Sequence, residues 1–242
     1  MIDKLKTSRH LGPCLCLISV LIMFSAGVGA DTYELSNQNS PGSFFLVATD
    51  TAGLLGFVGH RHAILANQWA AVLELNLQDL SASRINVTVQ TGSWTLDSER
   101  AYQLAGIDKA IPPQKDRVAT MQRILGPEVL NVEKNPEIVF RSESVDELSL
   151  DDNGSSRLIL SGGLQLRSDL LPPAPVEVAV IMERRPDKLV FTGSTEVLQS
   201  EFGINPFSLA GVVKVADRIR LVWRLEIDTS DFSDSGLSDT GL

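Results

Sequence analysis

Apolar and polar side chains alternate with a period of two along most of the chain after residue 70. The clearest run is residues 218–227, in which Ile219, Leu221, Trp223, Leu225 and Ile227 alternate with three arginines and other polar or small residues. Successive side chains of a strand point to opposite faces, so this spacing predicts a strand with one apolar face. A slip of one residue would bury the arginines, and the register is therefore strongly specified.

Further runs of the same kind cover residues 71–80, 84–91, 137–144, 157–166, 175–182 and 188–197. Turn signals separate several of them, including Asn153-Gly154 in DDNGSS and RRPDK at residues 184–188. With FFLVAT and HRHAIL, at least eight strands are predicted. Many antiparallel strands with one apolar face each indicate an all-β sandwich or closed barrel in a single domain.

Residues 97–132 interrupt the strand pattern with helical spacing. Val118, Met121, Ile124 and Leu125 recur at intervals of three and four, and Pro112-Pro113 forces a break upstream of them. The segment therefore predicts one or two short helices inserted between strands. We expect them to cap one end of the barrel.

The two ends of the chain are predicted to lie outside the fold. Residues 1–30 combine a basic start, the apolar run LCLISVLIMF and the small-residue sequence VGA, the pattern of a secretory signal peptide. We therefore expect export to the periplasm or beyond, a folded domain over residues 31–228, and no stable membrane insertion after signal removal. Residues 229–242, rich in Ser, Asp and Gly, are predicted to be a disordered acidic tail.

Composition narrows the partners and the chemistry. Both cysteines fall within the predicted signal, so the exported chain would have no disulfide and no thiolate ligand. Removing three basic residues and one acidic residue with the signal from totals of 21 and 30 leaves 18 and 29, a net charge of −11. Such a charge argues against nucleic acid as a partner. The oligomeric state is not predicted.

His60 and His62 are the two histidines of the predicted exported chain. On a strand they would share one face and could bind one metal ion, but two ligands do not complete a site and no further ligand is indicated. An ordinary strand feature near the barrel rim is the favoured interpretation, with a metal- or cofactor-binding module as the alternative. No nucleophile elbow, P-loop or dinucleotide fingerprint occurs, so no enzyme and no cofactor is predicted.

Three stretches, taken together, resemble the YceI-like family of secreted, lipocalin-like barrels described as polyisoprenoid-binding. They are SRINVTVQTGSWTLDSERAYQL, VLNVEKNPEIVFRSESV and VFTGSTEVLQSEFGINPF with the following VADRIRLVWRLEI. The chain departs from the family pattern at SGGLQLRSD, which lacks a His-Gly pair, and in a longer helical insert.

The resemblance implies a single antiparallel lipocalin-like barrel of about eight strands. A barrel of this size has room for one slender ligand, which makes the chain a candidate carrier of a polyisoprenoid or fatty-acyl lipid. Aromatic and aliphatic residues on the predicted apolar faces are the candidate ligand-lining positions: Phe57, Leu75, Val87, Val89, Trp94, Phe140, Val178, Phe191, Phe202 and Trp223.

Overall fold

The structure is a computed structural model that describes residues 29–53, 60–150, 155–209 and 213–228. It is predominantly β, with two α-helices and two short 3-10 turns. The strands are β1 (Asp31–Ser36), β2 (Phe44–Ala52), β3 (His62–Ala66), β4 (Trp69–Leu75), β5 (Arg84–Gln90), β6 (Trp94–Leu96), β7 (Glu137–Leu150), β8 (Ser156–Gln165), β9 (Ala174–Arg184), β10 (Lys188–Leu198), β11 (Ser208–Leu209) and β12 (Val213–Asp228).

All these strands belong to one curled antiparallel sheet. The order is β1-β4-β5-β7-β8-β9-β10-β12-β2-β3-β6, with β11 paired to β12 beside that path. The prediction of about eight strands is therefore wrong in number, since eleven strands follow one another in the sheet. The predicted all-β antiparallel class is confirmed.

Two bent hairpin arms link the parts of this sheet. The first arm comprises β3 and β4, the second comprises β5 and β6, and backbone hydrogen bonds from Asn67 N to Ser93 O and from Gln90 N to Gln68 O join them across the bends. The first arm pairs with β2 through β3, and the second pairs with β7 through β5. Each member of the series β2, first arm, second arm, β7, β8, β9, β10 and β12 pairs with the next, and β12 pairs with β2. The sheet therefore curls around an interior.

The apolar face of each strand points to that interior, as the alternation predicted. On β12, Leu225 and Ile227 are fully buried, whereas Arg218 on the other face forms an exposed ion pair with Glu196. At this end of the sheet, called the far end below, Met182 of β9 is also fully buried. The far end is thus a packed hydrophobic core.

The two helices have different positions. Helix α1 (Glu99–Ala105) buries Ala101, Tyr102 and Ala105 against the outer face of β2 and β3, rather than capping the barrel as expected. Its first turn is capped by Ser98, whose hydroxyl accepts a hydrogen bond from Ala101 N. Helix α2 (Gln114–Leu125) begins after Pro113, as the Pro-Pro break predicted, and contains no buried residue.

A polar cluster attaches the segment after α2 to the β8–β9 connection. The Arg167 guanidinium forms two hydrogen bonds with the Asp169 carboxylate and also donates to the Pro127 and Val129 carbonyls. Asn135, almost fully buried, donates to the same carboxylate at 2.7 Å. These hydrogen bonds, of which that from Arg167 has the largest effect, hold the pKa of Asp169 well below its usual range.

No helix among the described residues is long and apolar enough to span a membrane. The predicted signal, the acidic tail and the Asn153-Gly154 turn lie outside the described residues.

Candidate functional site

Two adjoining cavities occupy the interior away from the far end. The inner cavity, of about 130 Å³, lies in the middle of the sheet between strands that include β2, β5, β7, β9 and β12. The mouth cavity, of about 470 Å³, lies beneath α2. Their linings share Val47, Trp94, Ile138, Leu166 and Leu221, so the two cavities adjoin, and together they are called the hollow below.

The inner cavity is almost entirely apolar. Apart from Thr195 and the indole nitrogens of Trp94 and Trp223, its lining residues offer only hydrocarbon side chains. Trp223 lies flat over Gly193 of the neighbouring strand, where an added Cβ would be only 2.5 Å from the indole ring. Glycine at that position therefore makes room for the tryptophan that forms one wall of the hollow.

The structure brings together most of the residues predicted to line a ligand site. Leu75 and Phe191 border instead a small space of about 40 Å³ at the far end. Phe202 is buried in a cluster with Leu166 and Ile204 and lines none of these cavities. Phe57 lies outside the described residues. The residues that do line the inner cavity are Val87, Val89, Trp94, Phe140, Val178 and Trp223.

Both histidines of the predicted exported chain border the mouth cavity. His62 begins β3, whereas His60 precedes the strand, and their ring centres are 6.5 Å apart. The Nδ1 atom of His62 lies 2.7 Å from Oδ2 of Asp97, a fully buried carboxylate that also accepts a hydrogen bond from Ala63 N at 2.8 Å. A neutral His62 that donates through Nδ1 presents Nε2 as a hydrogen-bond acceptor.

The His62–Asp97 contact resembles the way in which metal-binding histidines are oriented by a second residue. However, no group of three or more His, Cys, Asp or Glu suitable for a metal ion occurs among the described residues. The described residues therefore offer no third ligand to the alternative interpretation, a metal-binding module built on His60 and His62.

Several mouth residues were not singled out from the sequence. Arg123 of α2 and Lys214 of β12 border the mouth cavity, and the Arg123 guanidinium lies 3.9 Å from the ring centre of Phe207. Thr49 and Trp94 border the mouth cavity, and each carries a buried polar atom without a hydrogen-bond partner, Oγ1 and Nε1 respectively. The helical spacing identified only the apolar positions of α2, and no local signal marks the others.

Comparison with known proteins agrees with this architecture. A family model described as YceI-like domain matches residues 48–227. The crystal structure of Burkholderia cenocepacia BcnA superposes with a TM-score of 0.55 at 12% identity, covering 77% of this chain and 97% of that one. The Campylobacter jejuni YCEI protein gives a TM-score of 0.47 at 12% identity, with 68% and 83% coverage. No curated protein matches the sequence.

Proposed function

The chain belongs to the YceI-like family of β-barrel binding proteins, and on that basis we propose that it carries a long apolar lipid chain, polyisoprenoid or fatty acyl, in its interior. The observation that supports this proposal is the pair of adjoining cavities, of which the inner one offers almost nothing but hydrocarbon. Such a hollow has the size typical of sites for small ligands.

The energetic argument is the hydrophobic effect. Each methylene group of a bound chain that leaves water contributes about 0.8 kcal/mol. A chain of ten methylenes that enters the hollow would gain about 8 kcal/mol before the cost of ordering it is subtracted. Nothing in the inner cavity would hold a polar ligand of the same length, because its lining has few hydrogen-bonding groups. The apolar chain is therefore the part of the ligand that we place there.

We also propose that the protein acts after export, in the periplasm or outside the cell, as its first 30 residues predict. An exported carrier has a physical role because a long hydrocarbon chain is insoluble in the aqueous space between membranes. Cell fractionation with an antibody against the protein tests the location. Recovery in the cytosol with residues 1–30 still attached would contradict it.

The test of lipid binding is extraction of purified native protein with organic solvent, followed by mass spectrometry. We expect a lipid with a long apolar chain in about equimolar amount. Two neighbouring residues of β7 supply a matched pair of variants, since Ile138 borders both cavities whereas Val139 is on the opposite face of the strand.

Ile138→Trp fills the passage between the two cavities, so bound lipid should fall by about tenfold or more. Val139→Trp adds the same bulk outside the hollow and should retain normal lipid content. Both proteins should melt cooperatively, which shows that they are folded. Equal lipid content in the two variants, or no lipid in the native protein and none taken up on titration, would refute the proposal.

A further inference from the structure

The charged and ionisable side chains that border the mouth cavity are all basic. They are Arg123, Lys214, His60 and His62, and no carboxylate borders this cavity among the described residues. The chain as a whole is acidic, with a formal net charge of −9. The entrance of the apolar hollow is thus bordered by basic groups, although the net charge of the molecule is negative.

Neither cation is neutralised within the part of the chain that the structure describes. Arg123 and Lys214 have no carboxylate oxygen within salt-bridge distance there, whereas other cations such as Lys188 and Arg224 are paired with Glu226. The Phe207 ring beneath Arg123 fixes its guanidinium at the mouth by a cation–π contact. The guanidinium can still donate from its edge, because stacking uses only its face.

Two residues that border the same hollow carry buried hydrogen-bond donors. Trp94 Nε1 and Thr49 Oγ1 are almost inaccessible to water and have no partner. Thr49 lies directly opposite His62 in the β2–β3 pairing, so their side chains share the inner face. Buried polar atoms are nearly always satisfied in folded proteins, so two donors without a partner beside the cavity are consistent with a ligand that supplies one.

From these observations, and on the basis of the proposed function, we infer that the ligand is an anionic amphiphile. Its carboxylate or phosphate head group binds at Arg123 and Lys214 in the mouth cavity, and its chain extends past Trp94 into the inner cavity. The oxygens of such a head group accept hydrogen bonds, and the arginine, lysine, threonine and tryptophan side chains all supply donors. A neutral head group would leave both cations without a counter-charge.

The experiment compares three ligands of equal chain length on delipidated protein: palmitate, hexadecyl phosphate and hexadecanol. At about pH 8 both acids are ionised. We expect the two anions to bind at least tenfold more tightly than the alcohol. Their advantage should shrink when ionic strength is raised from about 0.1 M to about 1 M, because the screening length falls from about 10 Å to about 3 Å.

Arg123→Gln and Lys214→Gln should each weaken anion binding by about fivefold. The double variant should remove the preference for anions. In all three variants hexadecanol binding should change by less than twofold. Arg123→Lys should be intermediate, since it retains the charge but loses the stacked, forked geometry. Lys115→Gln is the matched control, because it removes one charge from the same helix at an exposed position that does not border the cavity.

The possible failures are distinguishable. If the alcohol binds as tightly as both anions, the protein is a lipid carrier and the inference about the head group is wrong. If anions are preferred but the double variant retains the preference, the head group lies elsewhere and the inference is equally overturned. If none of the three ligands binds, the proposed function itself fails. A preference for hexadecyl phosphate over palmitate would identify the head group as phosphate, and the reverse as carboxylate.

Discussion

The two ends of the barrel are built from the same alternating strands and yet differ in how completely their side chains fill the interior. At the far end Met182, Leu225 and Ile227 have no exposed surface, and the remaining space is about 40 Å³. At the mouth end the same strands enclose about 470 Å³. On β12 alone, the inward side chain changes from Leu225, which is fully buried between the inner cavity and the far-end space, to Leu221, which borders both larger cavities.

The difference comes from the length of the side chains and from what covers each end. Long Met, Leu and Phe side chains meet across the far end and fill it. The mouth end has shorter inward residues on β2, Val47 and Thr49, and its cover is a helix with no buried residue. The far end therefore supplies stability to the fold, and the mouth end is left free for a ligand.

Two leucines of β12 provide the sharpest test of this contrast. Leu225→Ala should lower the free energy of unfolding by about 4 kcal/mol, because it creates a cavity in a packed core. Leu221→Ala should cost only about 2 kcal/mol, the low end of the range for this substitution, since its side chain is only partly buried and borders both larger cavities. Urea denaturation of the two ligand-free variants measures both values.

The wild-type protein, delipidated in the same way, is the reference for that pair. Equal losses of stability in the two variants would mean that the mouth end is packed as tightly as the far end. A larger loss for Leu221→Ala would reverse the comparison.

Sequence reasoning predicted the faces of the strands and failed to separate these two ends. Period-two alternation identifies inward residues such as Leu221 and Leu225 with equal weight, because it reports only which face a side chain occupies. Whether inward side chains meet depends on the curvature of the sheet and on contacts between distant strands. The number of strands was too low because β1 and β6 were not recognised, and β6, with three residues, is too short to show an alternation.

The mouth chemistry was the least predictable part. His60 and His62 were visible as a pair, but the partner of His62 is Asp97, which lies 35 residues away in the chain and is positioned by the turn between β6 and α1. Asp97 adopts a positive φ of 52°, a conformation that Asp tolerates better than most residues. Arg123 and Lys214 border one cavity because α2 contributes to the same lining as the start of β12.

Polar contacts hold α1 to the sheet near the mouth, and the pH dependence of stability should report on them. Burial and the nearby Asp97 carboxylate raise the pKa of Tyr102 to about 12. The folded protein thus retains the phenol proton at pH values where the unfolded chain, with a pKa of about 10, loses it. The contribution of Tyr102 to stability should be complete below about pH 10 and decline by roughly 2 kcal/mol as the pH approaches 12.

Tyr102→Phe isolates this contribution. The variant loses the hydrogen bond from the Tyr102 hydroxyl to the Arg61 carbonyl, which should cost about 1 kcal/mol at neutral pH. Above pH 10 its stability should fall less steeply than that of the wild type, so the two curves converge and then cross as the pH approaches about 12. Parallel curves over this range, measured by urea denaturation at a series of pH values, would show that the phenol ionises equally easily in both states.

The smallest predicted effect concerns the two helices. Gln103→Gly in α1 should lower the global free energy of unfolding by about 0.5–1 kcal/mol, because this helix is docked on β2 and β3 and unfolds with them. Ala119→Gly in α2 weakens helix formation by about 1 kcal/mol, yet α2 has no buried residue to couple it to the core. Its cost should therefore appear locally, as roughly fivefold faster amide hydrogen exchange within α2, with global stability changed by less than about 0.5 kcal/mol.

Bound lipid should reduce that exchange if α2 covers the ligand, whereas exchange in α1 should remain the same. Loss of global stability in Ala119→Gly as large as in Gln103→Gly would show that the mouth is closed by a fixed wall, and the contrast between the two ends would then concern volume alone.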